Sequence, residues 1–297
     1  MALPSIKKVY FEITNICNLD CAFCPGTKRR KGFVILGDFR RVAKKLSGKI
    51  PYLYLHLMGE PTLHPQLPEI LDTANEYGFK VIITTNGTTL GEKGDLLLKQ
   101  GQVHKVSISL HSFEANGKSG VNMENYLDNC FSFARKAAEA GTVCVLRLWN
   151  LDGKETVGQN ERNDDILTRM RQYFGRGWTK TRSGMRLCDR VFLEFDEKFE
   201  WPDAERIGES EEPRDFFCHG LRDQIGILCD GTVVPCCLDS EGSMPFGNIF
   251  ECEYEDIIGS PQVKKFYDTV SARKCPSPVC ATCGYATRFS NFAAKSY

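Results

Sequence analysis

Cys17–Asn–Leu–Asp–Cys21–Ala–Phe–Cys24 directly follows an apolar, β-branched run, Val9–Thr14, and this junction decides how the chain reads. Three thiols this close in sequence can face one point. A cubane cluster has four irons, so three protein ligands leave one iron open, as a catalytic zinc keeps one position open for substrate. Two plainer readings compete: a structural zinc lacking one ligand, and three unconnected buried cysteines. Structural zinc takes four protein ligands, and no nearby His completes this set, so iron–sulfur chemistry is expected.

Outward from that loop, short apolar runs alternate with amphipathic helical stretches. The spacing predicts strands over Val9–Thr14, Tyr52–Met58, Lys80–Thr85, Lys105–His111, Val143–Trp149 and Arg190–Asp196. It predicts helices over Asp38–Leu46, Leu67–Tyr77, Gly94–Gln100, Asn122–Ala140 and Asp164–Phe174, with Gly78, Gly101 and Gly141 as closing residues. Six β–α repeats imply a parallel sheet with crossover helices, either doubly wound or curled into a barrel. In both cases function sits at the C-terminal ends of the strands. The polar, acidic stretch Gly208–Pro213 marks a boundary, giving domains 1–207 and 208–297. Beyond it, Asp230–Gly231 separates Ile225–Cys229 from Thr232–Pro235 as a hairpin turn.

The formal net charge is +0, which offers no basic surface for a polyanion, so a nucleic-acid partner is unsupported. The basic run Lys28–Arg29–Arg30–Lys31 reads as a solvated loop. No signal peptide and no membrane-spanning stretch are present, which points to the cytoplasm. In that reducing compartment 14 cysteines argue for metal or redox chemistry rather than disulfides.

CNLDCAFC, with Phe23 before its third cysteine, resembles the CxxxCxxC signature of radical S-adenosylmethionine (SAM) enzymes. The resemblance implies a [4Fe-4S] cluster on Cys17, Cys21 and Cys24 whose open iron chelates SAM. It also implies reductive cleavage to a 5′-deoxyadenosyl radical that removes hydrogen from a substrate, and an electron donor such as flavodoxin or ferredoxin. The family pattern places Phe23, Gly59, Glu60, Pro61, Asn86, Ser109, His111 and Arg147 around SAM. From the residues alone, Gly59–Glu60–Pro61 and Asn86–Gly87 are also ordinary strand-end turns, and His111 is equally a turn residue. Arg147, among apolar strand neighbours, needs a carboxylate partner, either that of SAM or a structural acid. Glu12, Glu194 and Asp196 either line a substrate cavity, the favoured reading, or pair with internal arginines.

The last eighty or so residues carry Cys218, Cys229, Cys236, Cys237, Cys275, Cys280 and Cys283. A cysteine-bearing hairpin with a distant CxxC suits a metal, zinc included. The order resembles the SPASM domain appended to many radical SAM enzymes, and the lack of cysteines after Cys283 matches its shortened "twitch" version. Seventeen residues separate Cys218 from Cys236, as in 2-deoxy-scyllo-inosamine dehydrogenase. The resemblance therefore implies one auxiliary [4Fe-4S] cluster on Cys218, Cys236, Cys280 and Cys283. Cys229, Cys237 or Cys275 remain as substitute ligands or hydrogen donors, while Cys130 and Cys144 read as small core residues.

The expected architecture is α/β: a partial (β/α)6 barrel followed by a small cysteine-rich domain. The expected substrate is a peptide or protein side chain. Alternatives are dehydrogenation or epimerisation of a small polar molecule such as an aminocyclitol or sugar, and a non-catalytic iron–sulfur or zinc protein. Against the first, the barrel begins close to Met1, so a peptide would be recognised through a separate protein or a short motif.

Overall fold

The computed structural model describes residues 4–99, 103–116, 122–153, 156–209 and 216–290. Ten strands form one sheet: β1 (Lys8–Phe11), β2 (Tyr52–Tyr54), β3 (Lys80–Thr85), β4 (Val103–Ser109), β5 (Val143–Leu151), β6 (Thr179–Lys180), β7 (Gly184–Cys188), β8 (Val191–Glu197), β9 (Gln224–Ile227) and β10 (Val233–Val234). Its order is β10-β9-β1-β2-β3-β4-β5-β8-β7-β6. From β1 to β8 the six central strands are parallel and follow chain order without reversal. Right-handed crossovers in such an order put every connecting helix on the same face, and a twisted sheet covered on one face curls toward a barrel.

Those connections carry α1 (Leu36–Leu46), α2 (Leu67–Glu76), α3 (Leu90–Leu97), α4 (His111–Glu114), α5 (Met123–Glu139) and α6 (Asn163–Phe174). In α5 the residues Tyr126, Leu127, Cys130, Phe131 and Ala134 recur at helical spacing and are buried. The Asn122 side chain caps it by accepting the amides of Glu124 and Asn125. The helical face of the sheet presents Val9, Phe11, Leu53, Leu55, Val81, Ile83, Val106, Ile108, Cys144 and Leu146, all at most 1% exposed. Alternate residues turn to the concave face, and there the sequence becomes polar: Tyr10, Tyr54, His56, Thr84, Lys105, Ser107, Arg147 and Glu194. Tyr10 stacks on Tyr54 with ring centroids 4.4 Å apart, and both meet the His56 ring edge-on.

All six expected strands and all five expected helices form, with shifted ends. β2 stops at Tyr54 rather than Met58, and α3 starts at Leu90 and ends at Leu97. Gly78 and Gly141 take positive φ at their helix ends, as the sequence implied. The closing Gly101, and residues 210–213 of the expected boundary, lie outside the described residues. Two features were not anticipated. A hairpin of β6 and β7 precedes β8 and pairs with it antiparallel. The cysteine-bearing hairpin β9–β10 joins the barrel sheet itself, β9 running parallel to β1 with Val9 opposite Ile225. After it come α7 (Tyr254–Ile258), α8 (Pro261–Ser271), α9 (Pro278–Ala281) and α10 (Gly284–Ser290). Among the described residues no helix is long and apolar enough to cross a membrane.

Candidate active site

The loop after β1 places Cys17, Cys21 and Cys24 at the C-terminal end of the sheet, where a parallel barrel concentrates function. Burial raises all three thiol pKa values, and Cys21 is pushed up to about 12 by burial and then by its neighbours Cys24 and Cys17. The Leu19 amide donates to Cys17 Sγ at 3.5 Å, and Asn86 Nδ2 lies 3.9 Å from the same sulfur.

The turn after β2 is clamped onto this loop. The Glu60 amide donates to the Ile16 carbonyl at 2.8 Å. Gly59 has φ +76°, and a Cβ there would stand 2.5 Å from the Thr14 carbonyl oxygen, so only glycine allows this approach. Pro61 opens a short 3-10 turn, Pro61–Leu63. The Glu60 carboxylate gathers the Thr62 amide and hydroxyl, the Thr85 hydroxyl at 2.8 Å and the Asn86 amide at 2.7 Å. Burial raises the pKa of this carboxyl above its ordinary value, opposed by the four donors that hydrogen-bond its oxygens. Its side chain is thus spent on joining the ends of β2 and β3.

Asn86 bonds Asn18 at 2.9 Å, and its carbonyl accepts the Tyr126 hydroxyl. Ser109 lies opposite Arg147 in the β4–β5 register. His111 starts α4, with Nδ1 3.2 Å from the Arg147 carbonyl oxygen and 3.3 Å from the Trp149 amide. Its ring lies 4.9 Å from that of Phe23, and burial lowers its pKa to about 4, so it is neutral near pH 7. Arg147 stacks on Trp149 with its guanidinium carbon 4.3 Å from the ring centroid, opposite Glu194 on β8. The candidate residues near Cys17–Cys24 therefore share one end of the barrel, with Arg147 bordering its polar interior. A cavity of about 220 Å³ lined by Asn75, Lys80, His104 and Thr142 lies instead at the opposite, N-terminal ends of the strands.

The solvated-loop reading of Arg29 needs correction, and Glu12 and Asp196 take the arginine-pairing alternative rather than the favoured cavity. Glu12 does not line an open cavity: it is wholly buried and pairs with Arg29 at 2.8 Å. Arg29 is correspondingly no solvated loop residue, because an unpaired buried carboxylate would be costly and the guanidinium supplies its counter-charge. Asp196 pairs with Arg288 at 2.7 Å.

In the C-terminal region the proposed ligands are mutual neighbours. Burial raises the Cys236 pKa, and the charges of Cys218, Cys237, Cys280 and Cys283 raise it further. Cys280 and Cys283 are raised by burial and then by Cys218, with Cys283 reaching about 12. The Gly220 amide donates to Cys218 Sγ at 3.2 Å. Cys229 lies apart, its amide donating to Glu12 at 3.2 Å and its sulfur beside Arg29. Cys237 adjoins both Cys236 and the Tyr10 hydroxyl. Cys130 and Cys144 are core residues, as expected. Among the described residues no three His, Cys, Asp or Glu side chains close onto a single metal ion. Both thiol sets are crowded and desolvated, which opposes ionisation; iron binds the thiolate and brings positive charge, so the donor chemistry fits iron–sulfur clusters.

Comparison with known proteins agrees with this geometry. Residues 11–155 match the Radical SAM superfamily, and residues 218–284 match the SPASM iron-sulfur cluster-binding domain. The chain thus carries a Radical SAM domain followed by a SPASM-type domain, which imply a [4Fe-4S] cluster, SAM and auxiliary iron–sulfur binding. Among individual proteins it is similar to the antilisterial bacteriocin subtilosin biosynthesis protein AlbA of Bacillus subtilis (strain 168), 28% identical over 305 residues. That match covers 93% of this chain but 65% of AlbA, so the chain spans less than two thirds of that relative. A probable GTP 3′,8-cyclase of Sulfolobus acidocaldarius is 35% identical over 139 residues, 46% of this chain and 44% of its own. In fold it is similar to BtrN in complex with AdoMet and 2-DOIA (TM-score 0.59, 18% identity, 94% of this chain and 92% of that one). It is also similar to Streptococcus suis SuiB bound to precursor peptide SuiA (TM-score 0.58, 15% identity, 99% and 74%).

The sequence reading missed Tyr10, Tyr54, His56 and Lys105 on the concave face. The period-two alternation of Tyr10, Glu12 and Thr14, and of Tyr52, Tyr54 and His56, was the available signal.

Proposed function

We propose that this chain cleaves SAM reductively and uses the resulting radical on a peptide or protein side chain. The observation that carries the reading is the clamp between the Gly59–Glu60–Pro61 turn and the three-cysteine loop, which fixes that turn beside the residues just before Cys17. Cys17, Cys21 and Cys24 hold the first cluster. Phe23, Gly59, Glu60, Pro61, Asn86, Ser109 and His111 surround SAM, with Arg147 at the border towards substrate. Cys218, Cys236, Cys280 and Cys283 hold the auxiliary cluster, within a second domain starting near residue 208. When bound, the open cubane and SAM supply the hydrogen-abstracting 5′-deoxyadenosyl radical.

The protein's own part is to position and to exclude water. Glu60 locks the strand ends, Phe23 and His111 form an apolar wall, and neutral His111 and His56 add no charge to it. Trp201 Nε1 donates to the Phe23 carbonyl at 3.1 Å, holding the segment after β8 against the cysteine loop. A flavodoxin or ferredoxin in the cytoplasm supplies the electron.

The peptide reading is supported by the named role of AlbA in bacteriocin biosynthesis and by the precursor peptide on SuiB. A small polar substrate is the second reading, favoured by the nearly end-to-end likeness to BtrN in complex with 2-DOIA. Incubating reconstituted enzyme, SAM and reductant with short peptides on one side and aminocyclitols on the other separates them. 5′-Deoxyadenosine above the substrate-free rate, with a mass change in a peptide, supports the first; response to aminocyclitols alone rejects it.

A further inference from the structure

The concave face of the barrel carries more cationic hydrogen-bonding capacity than the protein consumes. Arg147 has five N–H donors. Thr84 Oγ1 meets Nη1 at 3.4 Å, and Glu194 approaches Nε only to 3.9 Å, beyond hydrogen-bond range. Among the described residues, Arg147 Nε and Ser107 Oγ are buried polar atoms with no hydrogen-bond partner. The two lie close by construction: Ser107 pairs with Thr84 across β3–β4, and Ser109, two residues on along the same face, pairs with Arg147 across β4–β5. The face of Trp149 fixes the plane of the guanidinium, leaving its edge to present N–H groups.

Charge on this face points the same way. Glu12 is neutralised by Arg29 and Asp196 by Arg288. His56 is held neutral, its pKa lowered to about 3 by burial and by Arg147. Lys105, on the same face of β4, lies near enough to Arg147 and Glu194 to feel both charges. Two cations, Lys105 and Arg147, thus face one carboxylate, Glu194. A buried cation with idle donors costs stability unless an acceptor meets it, and a carboxylate satisfies a guanidinium edge with two parallel bonds.

We propose that Arg147, Ser107 and Lys105 form an anion-binding subsite inside the barrel that holds a carboxylate of the substrate. The reacting residue of a peptide would then lie beside an acidic side chain or a C-terminal carboxylate. This rests on the radical SAM reading of the same barrel end and adds the charge class of its substrate. SAM carries a carboxylate too, so the test must separate the two sources.

The experiment titrates cluster-loaded, SAM-saturated enzyme with glutarate, and with its neutral isostere glutaramide, and follows the melting temperature without reductant. Glutarate is expected to raise the melting temperature and glutaramide to leave it unchanged. Arg147→Gln should weaken the apparent glutarate affinity at least about tenfold, and Ser107→Ala by less. An equal response to both compounds, or an unaltered glutarate affinity in both variants, overturns the subsite. Glutarate binding that SAM abolishes assigns Arg147 to the SAM carboxylate and also overturns it. Because no turnover is needed, failure here is distinct from failure to cleave SAM.

Discussion

Arg29 Nη2 lies 2.8 Å from both carboxylate oxygens of Glu12. The same carboxylate accepts the amides of Met58 and Cys229, each at 3.2 Å, and Arg29 Nε donates to the Ser240 carbonyl at 2.7 Å. One ion pair thus ties together the strand that precedes the cysteine loop, the loop itself, the turn after β2 and the C-terminal hairpin.

Removing one partner of a buried pair leaves an uncompensated charge. Arg29→Met is expected to cost about 3–5 kcal/mol, read as a lowered urea midpoint under anaerobic conditions. Adding Glu12→Gln to that variant should restore part of the loss, because it removes the unpaired charge while the amide oxygen keeps one of the two backbone donors, Met58 or Cys229. A double variant weaker than Arg29→Met alone would contradict this role.

Gly59→Ala places a methyl group 2.5 Å from a backbone oxygen at a φ that side chains rarely adopt. The turn must retreat from the cysteine loop, so SAM affinity should fall at least about tenfold while iron content is retained. Equilibrium dialysis against labelled SAM checks this, and unchanged affinity would show that the close approach is unimportant.

Glu60→Gln turns an NH2 group toward hydrogen-bond donors. With four donors sharing this carboxylate, a loss of about 1–3 kcal/mol is expected, seen in thermal unfolding. An unaltered melting temperature would mean that the two strand ends are held by other contacts.

His56 and His111 are depressed to about 3 and about 4, chiefly by burial. The unfolded chain takes up these protons near pH 6.5 and the folded protein does not. Stability should therefore fall as pH drops from about 6.5 toward 4, by at most about 1.4 kcal/mol per pH unit for each histidine. Denaturation at pH 7.5 and 5.5 should show a shallower decline in His56→Gln; an identical decline would mean that His56 protonates freely in the folded state.

The central strands were legible because their alternating apolar residues and the glycines at 78 and 141 are local signals. The three-cysteine loop was legible because its ligands lie within a few residues of one another. Arg29 was not, since Lys28–Arg29–Arg30–Lys31 has no periodicity and its burial depends on Glu12, seventeen residues away. The parallel pairing of β9 with β1 was hidden for the same reason, joining residues more than two hundred apart. The β6–β7 hairpin has one two-residue, exposed strand, too short to register as alternation.

The most direct test compares wild type with the Cys17→Ala/Cys21→Ala/Cys24→Ala variant, by anaerobic iron and sulfide counting together with 5′-deoxyadenosine formation from SAM. About eight irons falling to about four, with complete loss of 5′-deoxyadenosine, is the expected result. Wild-type protein that carries its full iron yet forms no 5′-deoxyadenosine with any reductant or candidate substrate would contradict it.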